Sequence, residues 1–97
     1  MKVAVIGAGW AGLAAAVELT RQGSAVTVFE ASRVAGGRGR SVELDGHTLD
    51  NGQHILLGAY RETLALMRRV GADPDALFER RPLQVVDREG FRLALPH

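Results

Sequence analysis

The chain has 97 residues and a formal net charge of +1, with 46% hydrophobic and 24% charged residues, a balance typical of one small globular domain. It contains no cysteine, so a disulfide framework, a cysteine-based metal site and thiol catalysis are excluded. The sequence shows neither a basic tract of the kind that binds nucleic acid nor an apolar run long enough to span a bilayer. A cytoplasmic location is therefore the default expectation.

The chain opens with an apolar strand followed by a glycine-rich turn. Val3–Ile6 is an unbroken apolar run, as expected of a parallel strand covered on both faces. Gly7, Gly9 and Gly12 follow it with the spacing G-x-G-x-x-G. We expect the first glycine to allow the sharp turn, the second to admit a pyrophosphate and the third to let a helix pack closely.

A helix and a second strand continue this pattern. The free N–H groups at the helix start, around Trp10 and Ala11, and the positive end of the helix dipole would face the phosphates. The helix is predicted to stop before Gly23, and Ala25–Phe29 is rich in strand-forming residues. Glu30 ends that strand, where its carboxylate can accept hydrogen bonds from ribose hydroxyls and would repel a 2′-phosphate.

Two other interpretations of this segment fit its pattern less well. A strand–helix–strand unit without a ligand would not need strand, glycines, helix, strand and acid all in this order. A secretory signal starting at Lys2 would have a similar apolar outline, but the glycine spacing and the second strand after Glu18 argue against it.

The remaining elements are predicted from turns and periodicity. Asp45 and Gly46 separate two short strands, Ser41–Leu44 and His47–Leu49, as a hairpin, and Asp50 and Asn51 are expected to shape the next turn.

Helical periodicity predicts a helix over Ala59–Val70, with Tyr60, Leu64 and Met67 on a core-facing side. Asp73 should cap a short helix that begins at Pro74. A final hairpin is predicted from the strands Leu83–Asp87 and Phe91–Leu95.

The fold class predicted is α/β, with an FAD/NAD(P)-binding Rossmann-like βαβ unit followed by β-hairpins and a helix. A doubly wound sheet needs several parallel strands, and only two candidates are present. We therefore interpret residues 1–97 as the amino-terminal part of a nucleotide-binding domain from a larger enzyme. The unpaired sheet edge predicts that the isolated piece self-associates or binds a partner chain.

A second glycine pair follows the acidic residue. Gly36 and Gly37 allow a backbone bend that other residues accept poorly, and Arg38 could reach back to a pyrophosphate. On the residues alone, an ordinary solvated loop is an equally good interpretation of this segment.

Residues 3–40 resemble the amino-terminal signature of the flavin-containing amine oxidase and phytoene desaturase superfamily, with its dinucleotide fold, acid and GGR turn. The resemblance implies FAD as the cofactor. It places Trp10 and Ala11 at the diphosphate through the backbone, and Glu30 at the adenosine ribose with Ala31 beside it. The full set of cofactor-binding residues it implies is Gly7, Gly9, Trp10, Ala11, Gly12, Glu30, Ala31, Gly37, Arg38, Gly52, Gln53 and His54.

The last three of these residues match a segment that passes under the isoalloxazine ring in that superfamily. His54 could be given a proton-transfer role, but packing or hydrogen bonding to the flavin is the preferred interpretation. No residue is assigned a catalytic role, and no metal site is predicted.

A narrower resemblance involves the segments GWAGLAAAVEL, VAGGRGRS and LDNGQHILLGAYRETLALMRRVG. They are similar to the hydroxysqualene dehydroxylases, squalene-associated FAD-dependent enzymes of hopanoid biosynthesis. This implies an isoprenoid substrate, reduction of hydroxysqualene to squalene, and peripheral contact with the inner membrane. Desaturation or amine oxidation on the same scaffold, an NAD-linked dehydrogenase and a non-catalytic nucleotide-binding module remain as alternatives.

Overall fold

The computed structural model describes residues 1–52 and 55–95. The part of the chain that it describes divides into two compact units, Met1–Tyr60 and Arg61–His97. In chain order the elements are β1 (Lys2–Ile6), α1 (Trp10–Arg21), β2 (Ala25–Phe29), β3 (Arg40–Leu44), β4 (His47–Asn51), α2 (Arg61–Arg69), α3 (Pro74–Leu77), β5 (Gln84–Val86) and β6 (Arg92–Ala94).

The first unit begins with a parallel pair of strands joined by a helix. β1 and β2 pair in register from Lys2 opposite Ala25 to Ile6 opposite Phe29. Helix α1 contacts both strands. The predicted βαβ unit is therefore confirmed, since the strand bounds agree with the sequence pattern to within one residue at β1 and exactly at β2, and the helix ends before Gly23.

Only one face of this two-stranded sheet is covered, so the expectation that β1 is covered on both faces is wrong for this chain. Val3 and Val5 alternate with exposed residues, and the exposed fraction of Ile6 reaches 81%. The same alternation in β2 leaves Phe29 54% exposed. Alternate residues of a strand point to opposite faces, and α1 packs on one of them. Within the described part of the first unit, no other element packs on the opposite face.

The hairpin of the first unit forms where it was predicted. β3 and β4 pair antiparallel, and both turn residues between them, Asp45 and Gly46, have positive φ angles of 49° and 78°. This is the signature of a two-residue turn that matches the strand twist. Asp50 and Asn51 do not shape a turn as expected, because they pair with Ser41 and Arg40 as the last residues of β4.

The second unit consists of short elements, and the predicted short helix is confirmed there. Asp73 caps α3 by accepting a hydrogen bond from the Asp75 N–H at 3.0 Å, with Pro74 in the first helical position. The longer helix α2 begins at Arg61, so Tyr60 lies before it and is 44% exposed. The prediction that Tyr60 lies on the core-facing side of this helix is therefore wrong, whereas Leu64 and Met67 are half-buried.

The predicted final hairpin also forms, with shorter strands than expected. β5 and β6 pair antiparallel, and the Asp87 carboxylate accepts hydrogen bonds from the N–H groups of Glu89 and Phe91 at 2.9 and 2.8 Å. Such a side-chain-to-backbone turn needs no contact with distant segments. Within residues 1–52 and 55–95, no helix combines the length and apolar character that a membrane crossing requires.

Candidate dinucleotide-binding site

The turn between β1 and α1 is closed by close backbone packing. Gly7 has a φ of 100° and its N–H donates to the Phe29 carbonyl at 2.7 Å, which ties the turn to the end of β2. A Cβ atom at Gly12 would collide with the carbonyl oxygen of Gly7, and it would lie 3.5 Å from Val5 Cγ1. The third glycine of the motif therefore lets the first turn of α1 approach the loop itself, as well as the sheet.

The amino terminus of α1 is open to an anion. Gly9 is the N-cap residue, no side chain accepts a hydrogen bond there, and the first turn holds no acidic residue. The first N–H groups of a helix, here those around Trp10 and Ala11, have no partner inside the helix and carry the positive end of its dipole. A Cβ atom at Gly9 would meet nothing within 4 Å, so there is space beside these donors.

The Glu30 carboxylate lies at the opening loop. Its Oε2 accepts the Ala8 N–H at 2.6 Å and its Oε1 accepts the Ser32 N–H at 3.0 Å. The bond from Ala8, then that from Ser32, lowers the pKa of the Glu30 carboxyl from its ordinary value. An ionised carboxylate can accept about four hydrogen bonds, so this exposed group keeps capacity for a further donor.

Ala8 joins three segments of the chain. It is 3% exposed, whereas most of the described chain is exposed or half-buried. Its N–H donates to Glu30, and its carbonyl oxygen accepts the Gly36 N–H at 2.7 Å. The opening loop, the acid after β2 and the glycine pair are thereby fixed to each other through one small residue.

The glycine pair makes the predicted bend and packs on the opening loop. Gly36 and Gly37 have φ angles of 110° and 60°, which side-chain-bearing residues rarely adopt. A Cβ atom at Gly37 would lie 3.3 Å from Gly9 Cα, so the two loops touch through their glycines. Next to them, the indole of Trp10 covers Gly39. Among the described residues, no hydrogen bond or ion pair involves the Arg38 side chain, which is exposed.

The β3–β4 hairpin leads directly to Gly52, the first residue of the last predicted cofactor-binding segment. Gly52 follows β4 with a φ of 87°, and a Cβ atom there would collide with the carbonyl oxygen of Arg38. The structure thus brings Gly52 against the GGR turn. The predictions for Gln53 and His54 lie outside the described residues.

Sequence reasoning missed three residues of this arrangement: Ala8, Ser32 and Arg40. The Arg40 Nη1 donates to Ser32 Oγ at 3.0 Å, and the Arg40 charge also lowers the Glu30 pKa, as a smaller effect than the backbone bonds. Ala31 is exposed, and its backbone contributes to the same lowering. The burial of Ala8 had no signal in the sequence, but the position of Ser32 two residues after an acid is a turn pattern that could have indicated its bond to Glu30.

Other kinds of site are not evident in the structure. Across residues 1–52 and 55–95, no cluster of three or more His, Asp or Glu side chains is arranged to hold a metal ion. A wide surface depression is lined by Glu79, Arg81, Pro82 and Gln84 of the second unit, and none of these residues belongs to the predicted site.

Comparison with known proteins identifies close similarities over nearly the whole chain. The zeta-carotene desaturase of Zea mays is 38% identical over 91 residues, which are 93% of this chain and 16% of that protein. The hydroxysqualene dehydroxylase of Zymomonas mobilis is 45% identical over 71 residues, 71% of this chain and 17% of that protein. The chain therefore spans about 16% of the length of the first curated relatives that it matches.

The solved structure of wild-type putrescine oxidase bound to putrescine superposes on the whole chain with a TM-score of 0.70 and 30% identity, and the match covers 22% of that protein. The family model for flavin-containing amine oxidoreductases matches residues 10–92. These matches confirm the predicted Rossmann-like fold and FAD as the cofactor. The chain belongs to the flavin-containing amine oxidoreductase family.

Proposed function

We propose that residues 1–97 form the part of an FAD-binding domain that holds the ADP half of the cofactor, in a flavin-dependent oxidoreductase that acts on an isoprenoid. The convergence of three separated segments on Ala8 carries this proposal. It puts an open helix terminus, an ionised carboxylate and an exposed arginine within one small region. These are the donor, acceptor and charge that an adenosine diphosphate needs.

Each group then has a defined role. The N–H groups of Trp10 and Ala11 bind the diphosphate at the start of α1, where Gly9 leaves space for it. Glu30 accepts hydrogen bonds from the ribose hydroxyls, and Arg38 adds positive charge near the diphosphate. Ala31 and Gly37 contribute backbone positions beside these groups.

The residues that bind the flavin ring in this proposal come later in the chain. Gly52 lies against the Arg38 carbonyl oxygen, and we assign Gly52, Gln53 and His54 to binding of the flavin ring. FAD supplies hydride transfer when it is bound. The described residues contribute binding and orientation rather than proton transfer.

For the substrate we propose hydroxysqualene, which would be reduced to squalene. The 45% identity to the hydroxysqualene dehydroxylase of Zymomonas mobilis supports it. A carotene desaturase is the second candidate, because the similarity to the zeta-carotene desaturase of Zea mays extends over 93% of this chain. Amine oxidation is the third, from the likeness to putrescine oxidase.

Cofactor binding is tested with the purified full gene product. We expect a flavin absorption spectrum with bands in the visible, and release of FAD rather than FMN or NAD on denaturation. A protein that carries no flavin and takes up none from added FAD would refute the proposal.

Substrate choice is tested separately on the FAD-loaded protein. Under anaerobic conditions, the chemically reduced protein should convert hydroxysqualene to squalene, with reoxidation of the flavin seen at the same rate. Reduction of the oxidised protein by zeta-carotene would favour the second candidate, and reduction by putrescine the third.

An isoprenoid substrate dissolves in lipid, so we also propose peripheral contact of the full gene product with the inner membrane. Co-flotation with vesicles of bacterial phospholipids is the test, and a protein that stays entirely in the dense fraction would contradict it.

The exposed sheet face with Ile6 and Phe29 further suggests that residues 1–97 alone self-associate or bind a partner chain, which light scattering can measure.

A further inference from the structure

We propose that Arg40 is a positioning residue for the cofactor site, and that its bond to Ser32 fastens the segment 31–39 so that Glu30 is presented to the ribose. This inference rests on the proposed function of the site. Neither residue contacts the expected cofactor position in our assignment, so their effect would pass through Glu30 and the loop.

The bond joins the hairpin to the loop. Arg40 is the first residue of β3 and pairs with Asn51, so its backbone is held by the ladder of the hairpin. Its Nη1 reaches back eight residues to Ser32 Oγ at 3.0 Å. The loop between these two residues contains Gly36 and Gly37, which have no side chains to stiffen it.

Ser32 lies between Arg40 and the acid. Its N–H donates to Glu30 Oε1 at 3.0 Å, while its hydroxyl accepts from Arg40. One residue therefore transmits the position of Arg40 to the carboxylate. The other carboxylate oxygen accepts from the Ala8 N–H, so each oxygen of the group has a backbone partner that helps to fix its direction.

Arg40 also affects the charge of the acid. The charged side chains on the segments around Glu30 are Lys2 of β1, Arg33 and Arg38 of its own loop, and Arg40 and Glu43 of β3. The opening loop and the first turn of α1 contribute no acid. Among these charges, only Arg40 contributes to the lowered pKa of the Glu30 carboxyl. FAD binding should weaken at low pH as Glu30 becomes protonated, and we call this part of the pH profile the acid limb. Removing the Arg40 charge should therefore shift the acid limb to higher pH.

The test is FAD affinity of the full gene product as a function of pH, for the wild type and three variants. For Arg40→Gln we expect about five-fold weaker binding at neutral pH, as for loss of one hydrogen bond, and an acid limb displaced to higher pH. Ser32→Ala keeps the charge, so its binding should weaken with the acid limb near that of the wild type. Arg40→Lys keeps the positive charge, so its acid limb should lie near that of the wild type.

Arg33→Gln is the matched control, because it removes one positive charge next to Ser32, and Arg33 makes none of these bonds. It should bind FAD as the wild type does. Equal affinity and an unmoved acid limb in Arg40→Gln, in a wild type that does bind FAD, would overturn this inference and leave the proposed function intact. If Arg40→Gln fails to fold, Ser32→Ala decides: unchanged affinity in it overturns the fastening role.

Discussion

The units Met1–Tyr60 and Arg61–His97 differ in the sequence distance across which their parts are joined. In the first, Ala8 bonds to both Glu30 and Gly36, and β1 pairs with β2 across an intervening helix. In the second, the bonds run between near neighbours, as from Asp75 to Asp73 or within the β5–β6 hairpin. Long-range backbone bonds fix several groups at one place, which a binding site requires, whereas caps and turns fix only local shape.

The same contrast appears in burial. The first unit encloses Ala8 at the junction of its loops, and α1 covers one side of the sheet. The second unit encloses Pro74 at a helix start, and its hairpin leaves Val86 and Phe91 60% and 62% exposed. Substitutions at the junction of the first unit should therefore lower both cofactor affinity and stability. Substitutions in the second unit should change stability without changing cofactor affinity.

The largest effect is expected from Gly12→Val in the full gene product. Its side chain would collide with the Gly7 carbonyl oxygen and push α1 from the loop, costing about 3 kcal/mol of folding free energy and abolishing FAD retention. Thermal unfolding and flavin absorbance measure both. Ala15→Val, at an exposed position of the same helix, is the control and should cost under about 1 kcal/mol. Full flavin content in Gly12→Val would contradict the packing argument.

An intermediate effect is expected from Glu30→Gln. Loss of the charged acceptor should weaken FAD binding roughly ten-fold at neutral pH. The folded-state pKa of Glu30 is lowered, chiefly by the Ala8 N–H, so the stability it contributes is present above its unfolded pKa and is lost as the pH falls through the folded value.

The difference in melting temperature between the wild type and Glu30→Gln should accordingly shrink as the solution is acidified. Glu43→Gln removes a carboxylate from the same unit without touching the opening loop, and it serves as the control. A difference that grows toward acid pH would show that the carboxyl is not ionised in the folded protein.

The smallest effect is expected from Asp73→Ala in the second unit. It removes the cap of α3 at a cost of about 1 kcal/mol, and it should leave FAD affinity unchanged. Hydrogen exchange at the amides of Asp75 and Leu77 measures the local loss. Asp73→Asn keeps an acceptor oxygen and should retain most of the protection. A large drop in FAD affinity in Asp73→Ala would remove the distinction between the two units.

Local signals predicted most of the elements. The apolar run, glycines and strand formers gave β1, α1 and β2, and Asp45 and Gly46 gave the hairpin, because these signals act within a few residues. The same holds for the Asp73 cap. Helix α2 started later than its periodicity predicted, because periodicity does not say which apolar residue is covered by tertiary contacts.

The predicted site residues also come together where the chain is described, yet the bonds that unite them could not be predicted. Glu30 is predicted to bind a ribose, and the structure shows it accepting the Ala8 N–H, which the sequence did not indicate. The pairing of Ser32 with Arg40 depends on the path of the glycine-rich loop between them. Such contacts follow from three-dimensional closure, which no spacing in the sequence reports.

The burial of Ala8 bears on which residues evolution can accept at that position. Both of its backbone polar groups are used and its side chain has almost no access to solvent, so only the smallest residues should survive there in a mutational scan. Trp10, two residues later, is 46% exposed and rests on Gly39, so it should vary more freely. Intolerance at position 8 would thus record a requirement of assembly, at a residue that need never touch the cofactor.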